Sequence, residues 1–463
     1  MPTITHPLLG AITTSPSSAT PTHSTRLQYA TLTTPLSAPV PTTTAISSAY
    51  TPPQPPTHPE FEIFVLGTPI PYTAPLTHTT EGLTLTLTLP VSPSKEPLPV
   101  CVFIPGGNFA GGTHAAEWYP AEHLVATSIQ LGKPVIFVGI DYRTNLYGFL
   151  DHASLPKNRA LLDQEVAVEW VRRHAAGFGG DPEQITVMGE SAGASSIGYL
   201  LARGVEMKRA VMMSGDPVLK GVLPEPIQSS IFLRAVGALG LDPKDPDIIA
   251  KIEGLSLEEV YAKLPLDIPW SPAPEESTIA AIGAGGAFVP PKGVELLVGC
   301  TRNDGGILLC GSLGVSGIAR KALSTPGIEK LAAQYGLTAD LDDAAAREVL
   351  EPLFTDTMFT LPATGVSDAW RYEFTVPNSN EGMYKGKSNH LYEMAYLFGA
   401  LPEGRGDMGE DMREVWVKFI TGGKPWDGGR VKGFGQREMG TKTLDMGLEE
   451  ARRLAVGVLM RLV

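Results

Sequence analysis

Residues 185–202 read ITVMGESAGASSIGYLLA, and this stretch decides the fold. The run ITVM is typical of a buried strand, whereas ASSIGYLLA is typical of a helix. Between them lies Gly189-Glu190-Ser191-Ala192-Gly193, in which glycines stand two positions before and two after the serine. A serine on a sharp strand-to-helix turn has a strained backbone, and only small neighbours let the two chain segments pass closely. The stretch therefore predicts a strand, a tight turn that exposes Ser191, and a helix.

Short apolar runs on both sides of this stretch predict further strands. They are LTLTLTL (83–89), VCVFI (100–104), VIFVGI (135–140), AVMMSG (210–215), ELLVG (295–299) and RYEFTV (371–376). The alternation of leucine and threonine in the first run predicts a half-buried strand. Residues 161–178 carry apolar side chains at helical spacing. Strands that alternate with helices indicate an α/β fold, with a mostly parallel central sheet and helices on both faces.

The chain is predicted to form a single domain over residues 1–463, because α/β folds with inserted segments often stay one unit around one large sheet. Residues 1–60 are dense in Thr, Pro and Ser, which favours an extended, irregular arm on the surface. Residues from about 217 to 290 and from about 316 to 365 interrupt the rhythm of strands and helices. These two segments are predicted lid or cap insertions.

Composition argues against several classes of function. The net charge is −13 and no cluster of Lys or Arg is present, so nucleic acid is not expected as a partner. The sequence contains no uninterrupted run of roughly 18 apolar residues, so no membrane span is predicted. The start of the chain lacks a signal-peptide pattern, and the three cysteines form neither a disulfide framework nor a zinc site. We expect a cytoplasmic protein, and the sequence does not indicate its oligomeric state.

A serine on such a turn needs a general base, and chain order identifies one. In folds with this motif the order is Ser, then Asp or Glu, then His. Of nine histidines, eight precede Ser191 and only His390 follows it. His390 ends a polar loop ahead of an apolar stretch, as a residue that reaches into a cleft requires. Ser191 is therefore the predicted nucleophile and His390 the predicted base.

Many carboxylates lie between Ser191 and His390, so position relative to a strand must select the acid that orients the base. Asp304 lies in a turn after the run ELLVG. Its carboxylate is therefore expected at the C-terminal edge of a strand, where open α/β sheets collect their sites. We predict that Asp304 is this acid, and Asp216, directly after AVMMSG, is the alternative.

The glycine-rich stretch PGGNFAGG (105–112) is the candidate oxyanion hole. Glycines let backbone N–H groups approach the oxygen that gains charge in a tetrahedral intermediate. A helix that begins at Ala192 also directs its first N–H groups at developing negative charge. The predicted donors are the N–H groups of Gly107, Asn108 and Ala192, supported by Gly106. A tight loop without this role is the simpler alternative.

Together, these residues resemble the type-B carboxylesterase and cholinesterase family, including its fungal members and related lipases. The segment NRALLDQEVAVEWVRRHAAGFGGDPEQITVMGESAGA (158–194) is similar to the family signature. Further similarity lies in DYRTNLYGFL (141–150), RAVMMSG (209–215), HLYEMAYLFG (390–399) and VWVKFITGGKPW (415–426).

The resemblance implies the α/β-hydrolase fold, in which Gly189, Glu190 and Gly193 surround the nucleophile. By the same likeness Ser191, Asp304 and His390 take the positions of a catalytic triad, and Ser214 lies beside the acid.

This sequence departs from the family pattern at several positions. Asp304 stands where glutamate is commoner, so its loop must bring a shorter side chain nearer to the base. Pro105 and Asn108 stand where His and Gly are usual, which alters the loop and keeps its backbone donors. The stretch EGLTLTL (81–87) lacks the cysteine of the family's early disulfide loop, which agrees with the expected location.

The predicted function is that of a serine carboxylic-ester hydrolase, which forms an acyl-enzyme on a small-molecule ester and needs no metal or organic cofactor. Two alternatives stay open. An acyltransferase or cyclase in small-molecule biosynthesis would use the same triad, and a catalytically silent binding protein would share the fold. His114, Trp118 and Tyr119 follow the glycine-rich stretch and are either pocket-lining or packing residues.

Overall fold

A computed structural model of the chain describes residues 2–17, 20–44, 83–91, 96–116, 118–265, 267–281, 288–309, 314–401 and 406–435, together with residues 450, 451, 454 and 458. The last part of the predicted N-terminal arm, residues 45–60, and Cys310 lie outside the described residues. Cys101 and Cys300 are buried free thiols.

Strands occur along almost the whole described chain. They are β1 (Thr3–His6), β2 (Gly10–Thr13), β3 (Ser15–Pro16), β4 (Thr22–Gln28), β5 (Ala30–Thr31), β6 (Val40–Pro41), β7 (Thr84–Pro90), β8 (Leu98–Ile104), β9 (Ile136–Ile140), β10 (Gly180–Glu190), β11 (Arg209–Met213), β12 (Glu295–Thr301), β13 (Trp370–Phe374) and β14 (Val431–Phe434).

Helices lie mainly between the strands from β8 onward. They are α1 (Glu122–Gln130), α2 (Asn145–Phe149), α3 (Arg159–His174), α4 (Ala192–Ala202), α5 (Glu225–Ala238), α6 (Ile248–Glu253), α7 (Leu257–Lys263), α8 (Glu276–Ala280), α9 (Val315–Leu323), α10 (Glu329–Tyr335), α11 (Asp343–Thr355), α12 (Leu361–Gly365), α13 (Tyr392–Leu397) and α14 (Asp407–Ile420). Short 3₁₀ segments cover Ala175–Phe178 and Asp304–Leu309, and a π-helical turn covers Asp356–Thr360.

Ten of these strands form one sheet in the order β14-β13-β12-β11-β10-β8-β9-β7-β4-β3. The neighbouring strands from β14 to β9 are parallel. β7, β4 and β3 continue the sheet with antiparallel pairing. The prediction of a mostly parallel central sheet is therefore confirmed. β10 lies inside the sheet between β8 and β11, so the turn after it is at the middle of the carboxyl edge.

Both faces of the sheet are covered by helices. In β8, Val100, Val102 and Ile104 belong to an apolar core that includes side chains of α3 and α4. Cys101 and Phe103 belong to a second core with side chains of α1, α13 and α14. Successive residues of a strand point to opposite faces, so the apolar run of β8 is explained by burial on both sides. This arrangement confirms the predicted layers.

The threonine-rich start of the chain contains strands, which contradicts the prediction of an irregular arm over this part. β4 pairs with β7 in seven positions, from Thr22↔Pro90 to Gln28↔Thr84. Threonine is β-branched and fits a pleated backbone. Pro16 and Pro41 lie in β3 and β6, which are only two residues long. Residues 22–28 are therefore part of the sheet.

Strand β7 is buried on both faces, so the prediction of a half-buried strand was wrong. Thr84 and Thr88 are as well buried as the leucines between them. Thr84 Oγ1 accepts a hydrogen bond from the Arg26 guanidinium at 3.2 Å, and Thr86 Oγ1 lies 2.8 Å from His114 Nε2. Burial of hydroxyl groups is tolerated when they are hydrogen-bonded, and the alternating pattern could not reveal these partners.

The two predicted insertions are mainly helical. α5–α8 lie between β11 and β12, and α9–α12 lie between β12 and β13. Side chains of α9, α10 and α11 form an apolar core of their own, into which Cys300 of β12 packs. Their action as lids stays a prediction. In the described part of the chain, no helix combines the length and the apolar character that crossing a membrane requires.

Leu27→Ala is expected to lower the free energy of unfolding by about 2–5 kcal/mol, the usual cost of truncating a buried leucine. Leu27 in β4 is 1% exposed and packs in the core beneath the sheet. Leu8→Ala is the matched control, because Leu8 in the same segment is 59% exposed. Urea denaturation of both variants measures the difference. Equal stability of the two variants would contradict the integration of β4 into the core.

Candidate active site

Ser191 lies on the turn between β10 and α4, where its backbone has φ 53° and ψ −120°. A non-glycine residue rarely adopts a positive φ, so this turn is strained. A Cβ atom on Gly189 would lie 2.5 Å from the Gly193 carbonyl group, and one on Gly193 would lie 2.1 Å from the Ile104 carbonyl oxygen. Both positions therefore require glycine because backbone segments meet there, as the sequence pattern predicted.

Asp304 and His390 are joined by a short hydrogen bond. His390 Nδ1 lies 2.7 Å from Asp304 Oδ1, and both side chains are buried. Asp304 Oδ2 accepts hydrogen bonds from the Thr301 N–H at 2.8 Å and from the Ser214 hydroxyl at 3.0 Å. Because both carboxylate oxygens act as acceptors, we assign the proton of the bond to Nδ1. This tautomer leaves the lone pair on Nε2 of His390.

The loops that carry these two residues are paired with each other. Asn303 and Asn389 form a parallel β-bridge. The Asn303 N–H donates to the Ser388 carbonyl oxygen, and the Ser388 N–H donates to Asn303 Oδ1, both at 2.9 Å. Asn303 directly precedes Asp304 along the chain, and Asn389 directly precedes His390. The pairing thus brings the shorter Asp304 side chain within reach of the imidazole. Sequence analysis missed this role of Asn303 and Ser388.

The free ring nitrogen of His390 faces the turn that carries the serine. Nε2 lies 3.1 Å from Glu190 Oε1, but neither oxygen of this carboxyl group makes a hydrogen bond to any described residue. Among the described residues, no hydrogen bond joins Ser191 Oγ to His390. The structure therefore brings His390 to Asp304 and to the neighbour of Ser191, but it does not close the last contact. Such contacts are often long in ligand-free sites.

Two further buried carboxyl groups, those of Glu190 and Glu393, lie near the Asp304–His390 pair. Glu393 Oε1 accepts a hydrogen bond from the Tyr372 hydroxyl at 2.9 Å, and Ser214 Oγ lies 3.4 Å from the same oxygen. Burial, together with the negative charge of Asp304, raises the pKa of Glu393 to about 8. Burial also raises the pKa of Glu190 well above its usual value, and Glu393 and Asp304 add to this effect. The site therefore favours two neutral acids beside one carboxylate at neutral pH.

Glu393 is a site residue that sequence analysis missed, although a signal was present. It is the one charged residue in the apolar run LYEMAYLFG, three positions after His390. Acidic side chains are almost never fully buried unless they are paired or hydrogen-bonded. A glutamate inside a run that is predicted to be buried therefore indicates a site.

The glycine-rich stretch lies directly against the turn. A Cβ atom on Gly106 would lie 2.4 Å from Glu190 Oε2 and 3.0 Å from Ser191 Cβ. Gly107 has φ 120°, and a Cβ atom there would lie 2.2 Å from the Gly111 carbonyl oxygen. The backbone of this stretch thus approaches the serine more closely than residues with side chains would allow.

The predicted oxyanion donors have no hydrogen-bond partner among the residues that the structure describes. Asn108 and Phe109 follow with φ 57° and 59°, which turns the chain sharply. Within the described residues, the N–H groups of Gly107, Asn108 and Ala192 donate to no protein acceptor. Their backbone donors are therefore free to bind an oxygen atom.

Asp216, the alternative acid, has a local role. Its Oδ1 accepts the N–H groups of Val218 at 2.9 Å and Leu219 at 3.2 Å. The imidazole nitrogen that needs an acid is instead bonded to Asp304. The geometry thus favours Asp304 over Asp216.

The aromatic residues after the glycine-rich stretch pack in the core. The centre of the Tyr119 ring lies 4.9 Å from the centre of the Phe103 ring and 5.8 Å from that of the Trp118 ring. His114 is buried, and its Nδ1 lies 2.9 Å from Asp141 Oδ1. The interpretation of these three residues as packing residues is the one that the structure favours.

Comparisons with known proteins find relatives of this chain by sequence and by structure. The sequence model of the carboxylesterase family matches residues 16–443. The chain is 28% identical to para-nitrobenzyl esterase of Bacillus subtilis (strain 168) over 380 residues, and this aligned region covers 73% of each chain. It is 33% identical over 232 residues to juvenile hormone esterase of Heliothis virescens, which covers 44% of this chain and 39% of that relative. A solved structure of PNB esterase superposes with a TM-score of 0.70 and 24% identity, over 92% of this chain and 91% of that chain.

Glu393→Gln is expected to stabilise the protein more at high pH than at low pH. The folded protein holds the Glu393 proton more tightly than the unfolded chain, so its contribution to stability is present below about pH 4.5 and is lost as pH rises through about 8. The amide of the introduced glutamine does not ionise, so the variant does not lose this stability as pH rises. Urea denaturation at about pH 5 and about pH 8.5 should show a difference in relative stability above roughly 1.4 kcal/mol, equivalent to one pKa unit.

Glu258→Gln is the control for this experiment, because Glu258 is exposed on α7. It should change stability equally at both pH values. If Glu393→Gln behaves in the same way, Glu393 does not bind its proton more tightly in the folded state.

Proposed function

The chain belongs to the carboxylesterase family and is a carboxylic-ester hydrolase, and from this premise we propose that it cleaves small-molecule esters through an acyl-enzyme on Ser191. His390 acts as the general base, and Asp304 orients it. The observation that carries the proposal is the 2.7 Å hydrogen bond between His390 Nδ1 and Asp304 Oδ1. This bond leaves Nε2 as the basic nitrogen beside the turn of the serine.

In the first step, Ser191 Oγ attacks the carbonyl carbon of the ester, and His390 Nε2 takes the hydroxyl proton. The carbonyl π bond opens, and its electron pair becomes the negative charge on oxygen. The free N–H groups of Gly107, Asn108 and Ala192 are proposed to bind this oxyanion. The C–O bond to the alcohol then breaks, and the proton moves from His390 to the leaving alcohol.

In the second step, water attacks the acyl-enzyme and gives one proton to His390. The ester bond to Ser191 Oγ breaks, the carboxylic acid leaves, and the serine hydroxyl regains its proton. The protonated imidazole of both steps lies next to the Asp304 carboxylate, which stabilises its positive charge. A positioned base of this kind contributes about 10²- to 10⁴-fold to the rate.

Glu190 supports the same proposal through its protonation state. A charged carboxylate 3.1 Å from Nε2 would hold the imidazole in its protonated form, which cannot accept the serine proton. Burial raises the pKa of Glu190, so a neutral carboxyl group is the favoured neighbour. The mechanism then requires that Nε2 form a hydrogen bond with Ser191 Oγ when the ester binds.

Ser191→Ala is expected to lower the turnover of 4-nitrophenyl butyrate by more than about 10³-fold, because the acyl acceptor is lost. Labelling by a fluorophosphonate probe should disappear as well. Ser196→Ala is the matched control, since this buried serine lies on α4, the helix that follows Ser191. In the described structure its hydroxyl donates only to the Ala192 carbonyl oxygen. Activity of the Ser191 variant equal to that of the control would reject the proposed nucleophile.

Hydrolysis in ¹⁸O-labelled water separates ester hydrolysis from transfer to another nucleophile. With the wild-type protein, we expect one labelled oxygen in the released acid. Unlabelled acid, or an acylated product formed with an added alcohol or amine, would support the transferase or cyclase alternative.

Asp304→Asn should reduce turnover by roughly 10²- to 10⁴-fold, because the amide no longer fixes the tautomer of His390 or stabilises the imidazolium. Asp216→Asn should reduce it far less, since Asp216 accepts hydrogen bonds within its own turn. Steady-state kinetics with the same ester compare the two variants. The opposite ranking would assign the acid role to Asp216.

A further inference from the structure

Lys220 is held over the helix that follows the nucleophile. Its carbonyl oxygen accepts a hydrogen bond from the Tyr199 hydroxyl at 2.7 Å, and the same hydroxyl lies 3.0 Å from the Pro217 carbonyl oxygen. The Ser195 hydroxyl donates to the Asp216 carbonyl oxygen at 2.6 Å. Tyr199 and Ser195 belong to α4, which begins directly after Ser191. These contacts fix the segment 216–220 at the site.

The Lys220 ammonium reaches the candidate oxyanion loop. Nζ donates to Asn108 Oδ1 at 2.7 Å and lies 5.6 Å from the centre of the Phe109 ring. Asn108 carries one of the proposed oxyanion donors and lies two positions after Gly106, which contacts Ser191. Lys220 Nζ is therefore joined by one hydrogen bond to the residue that carries a proposed oxyanion donor.

This ammonium lacks a counter-ion in the described structure. The side chain is buried, with the whole residue 7% exposed, and no carboxylate of a described residue lies within ion-pair distance of Nζ. Asp216, the nearest acid in sequence, accepts the N–H groups of its own turn. Burial lowers the pKa of Lys220 to about 7. Buried lysines are usually paired with an anion.

We propose that Lys220 binds a carboxylate carried by the ester substrate, close to its scissile carbonyl. An ammonium group has three N–H donors, and Asn108 Oδ1 uses only one of them. A substrate carboxylate would complete the donor set, restore the charge of Lys220 and replace the missing counter-ion. The proposal rests on the proposed function, since it concerns the ester that Ser191 attacks.

The protonation of the buried acids near His390 affects the cost of binding an anionic substrate. Burial raises the pKa values of Glu190 and Glu393, which favours their neutral forms. Asp304 is paired with His390 at 2.7 Å. One further negative charge next to Lys220 therefore costs less free energy than it would if all three carboxyl groups were ionised.

The test compares anionic and neutral esters in two matched pairs. In the first pair, 4-nitrophenyl hemisuccinate carries its carboxylate on the acyl side, and 4-nitrophenyl butyrate is its neutral partner. In the second pair, the butyrate ester of 4-hydroxybenzoate carries it on the alcohol side, and phenyl butyrate is neutral. The ratio of kcat/KM between the anionic and the neutral ester is measured for each pair.

Lys220→Gln keeps an N–H donor for Asn108 and removes the charge, and Lys220→Met removes both. Each variant is expected to lower the ratio at least about tenfold for one pair, and that pair identifies the side of the ester that carries the carboxylate. Lys208→Met is the control, because Lys208 is exposed before β11, at the opposite end of that strand. Its ratio should equal that of the wild type.

An unchanged ratio in both variants overturns the proposal, as does an equal loss for both esters of each pair, which would indicate that Lys220 only supports the loop. Should the variants not fold, a wild-type preference for the neutral ester in both pairs overturns it as well. Failure of the proposed function is a separate result, since Ser191→Ala would then retain the activity of the wild type on every ester.

Discussion

The close approach of backbone segments around Ser191 is the constraint on which the site depends. β10 ends beside β8 and β11, and α4 begins so near to the end of β8 that no Cβ atom fits on Gly193. The Ser191 N–H donates to the Met213 carbonyl oxygen at 2.9 Å, which ties the strained residue to the next strand. The sheet and α4 thus hold Ser191 in a strained conformation that an isolated turn would not keep.

Electrostatics is the second constraint, because three acidic side chains and one imidazole are buried together. Transfer of an unpaired carboxylate from water to the interior costs several kcal/mol, so the acids cannot all be charged. The hydrogen bonds divide them. Asp304 receives two protein donors on Oδ2 besides the His390 bond, whereas Glu190 receives none from the described residues. This division assigns the carboxylate to Asp304 and the neutral form to Glu190.

The glycine-rich loop connects these two constraints with Lys220. Its backbone contacts the nucleophile at Gly106, and its Asn108 side chain binds the Lys220 ammonium. The same loop therefore carries free N–H donors and holds the Lys220 side chain through Asn108. Asn108 gives the lysine its hydrogen-bond acceptor.

The sequence by itself determined the parts that depend on local patterns and chain order. The strand, turn and helix around Ser191 followed from steric rules, and His390 followed because it is the only histidine after Ser191. Asp304 was selected by its place after a strand. The strands from β7 to β13 were visible as apolar or alternating runs, because they are buried in the central sheet.

Only the tertiary structure decided how distant segments meet. In the pairing of β4 with β7, Thr25 lies opposite Leu87, 62 positions away. The bridge between Asn303 and Asn389 joins residues 86 positions apart, and the contact of Lys220 with Asn108 joins residues 112 positions apart. The protonation of Glu190 and Glu393 likewise depends on neighbours from other elements. Local patterns report which side chains are buried, but hydrogen-bond partners and charges across the fold are set by packing, which no single stretch of sequence contains.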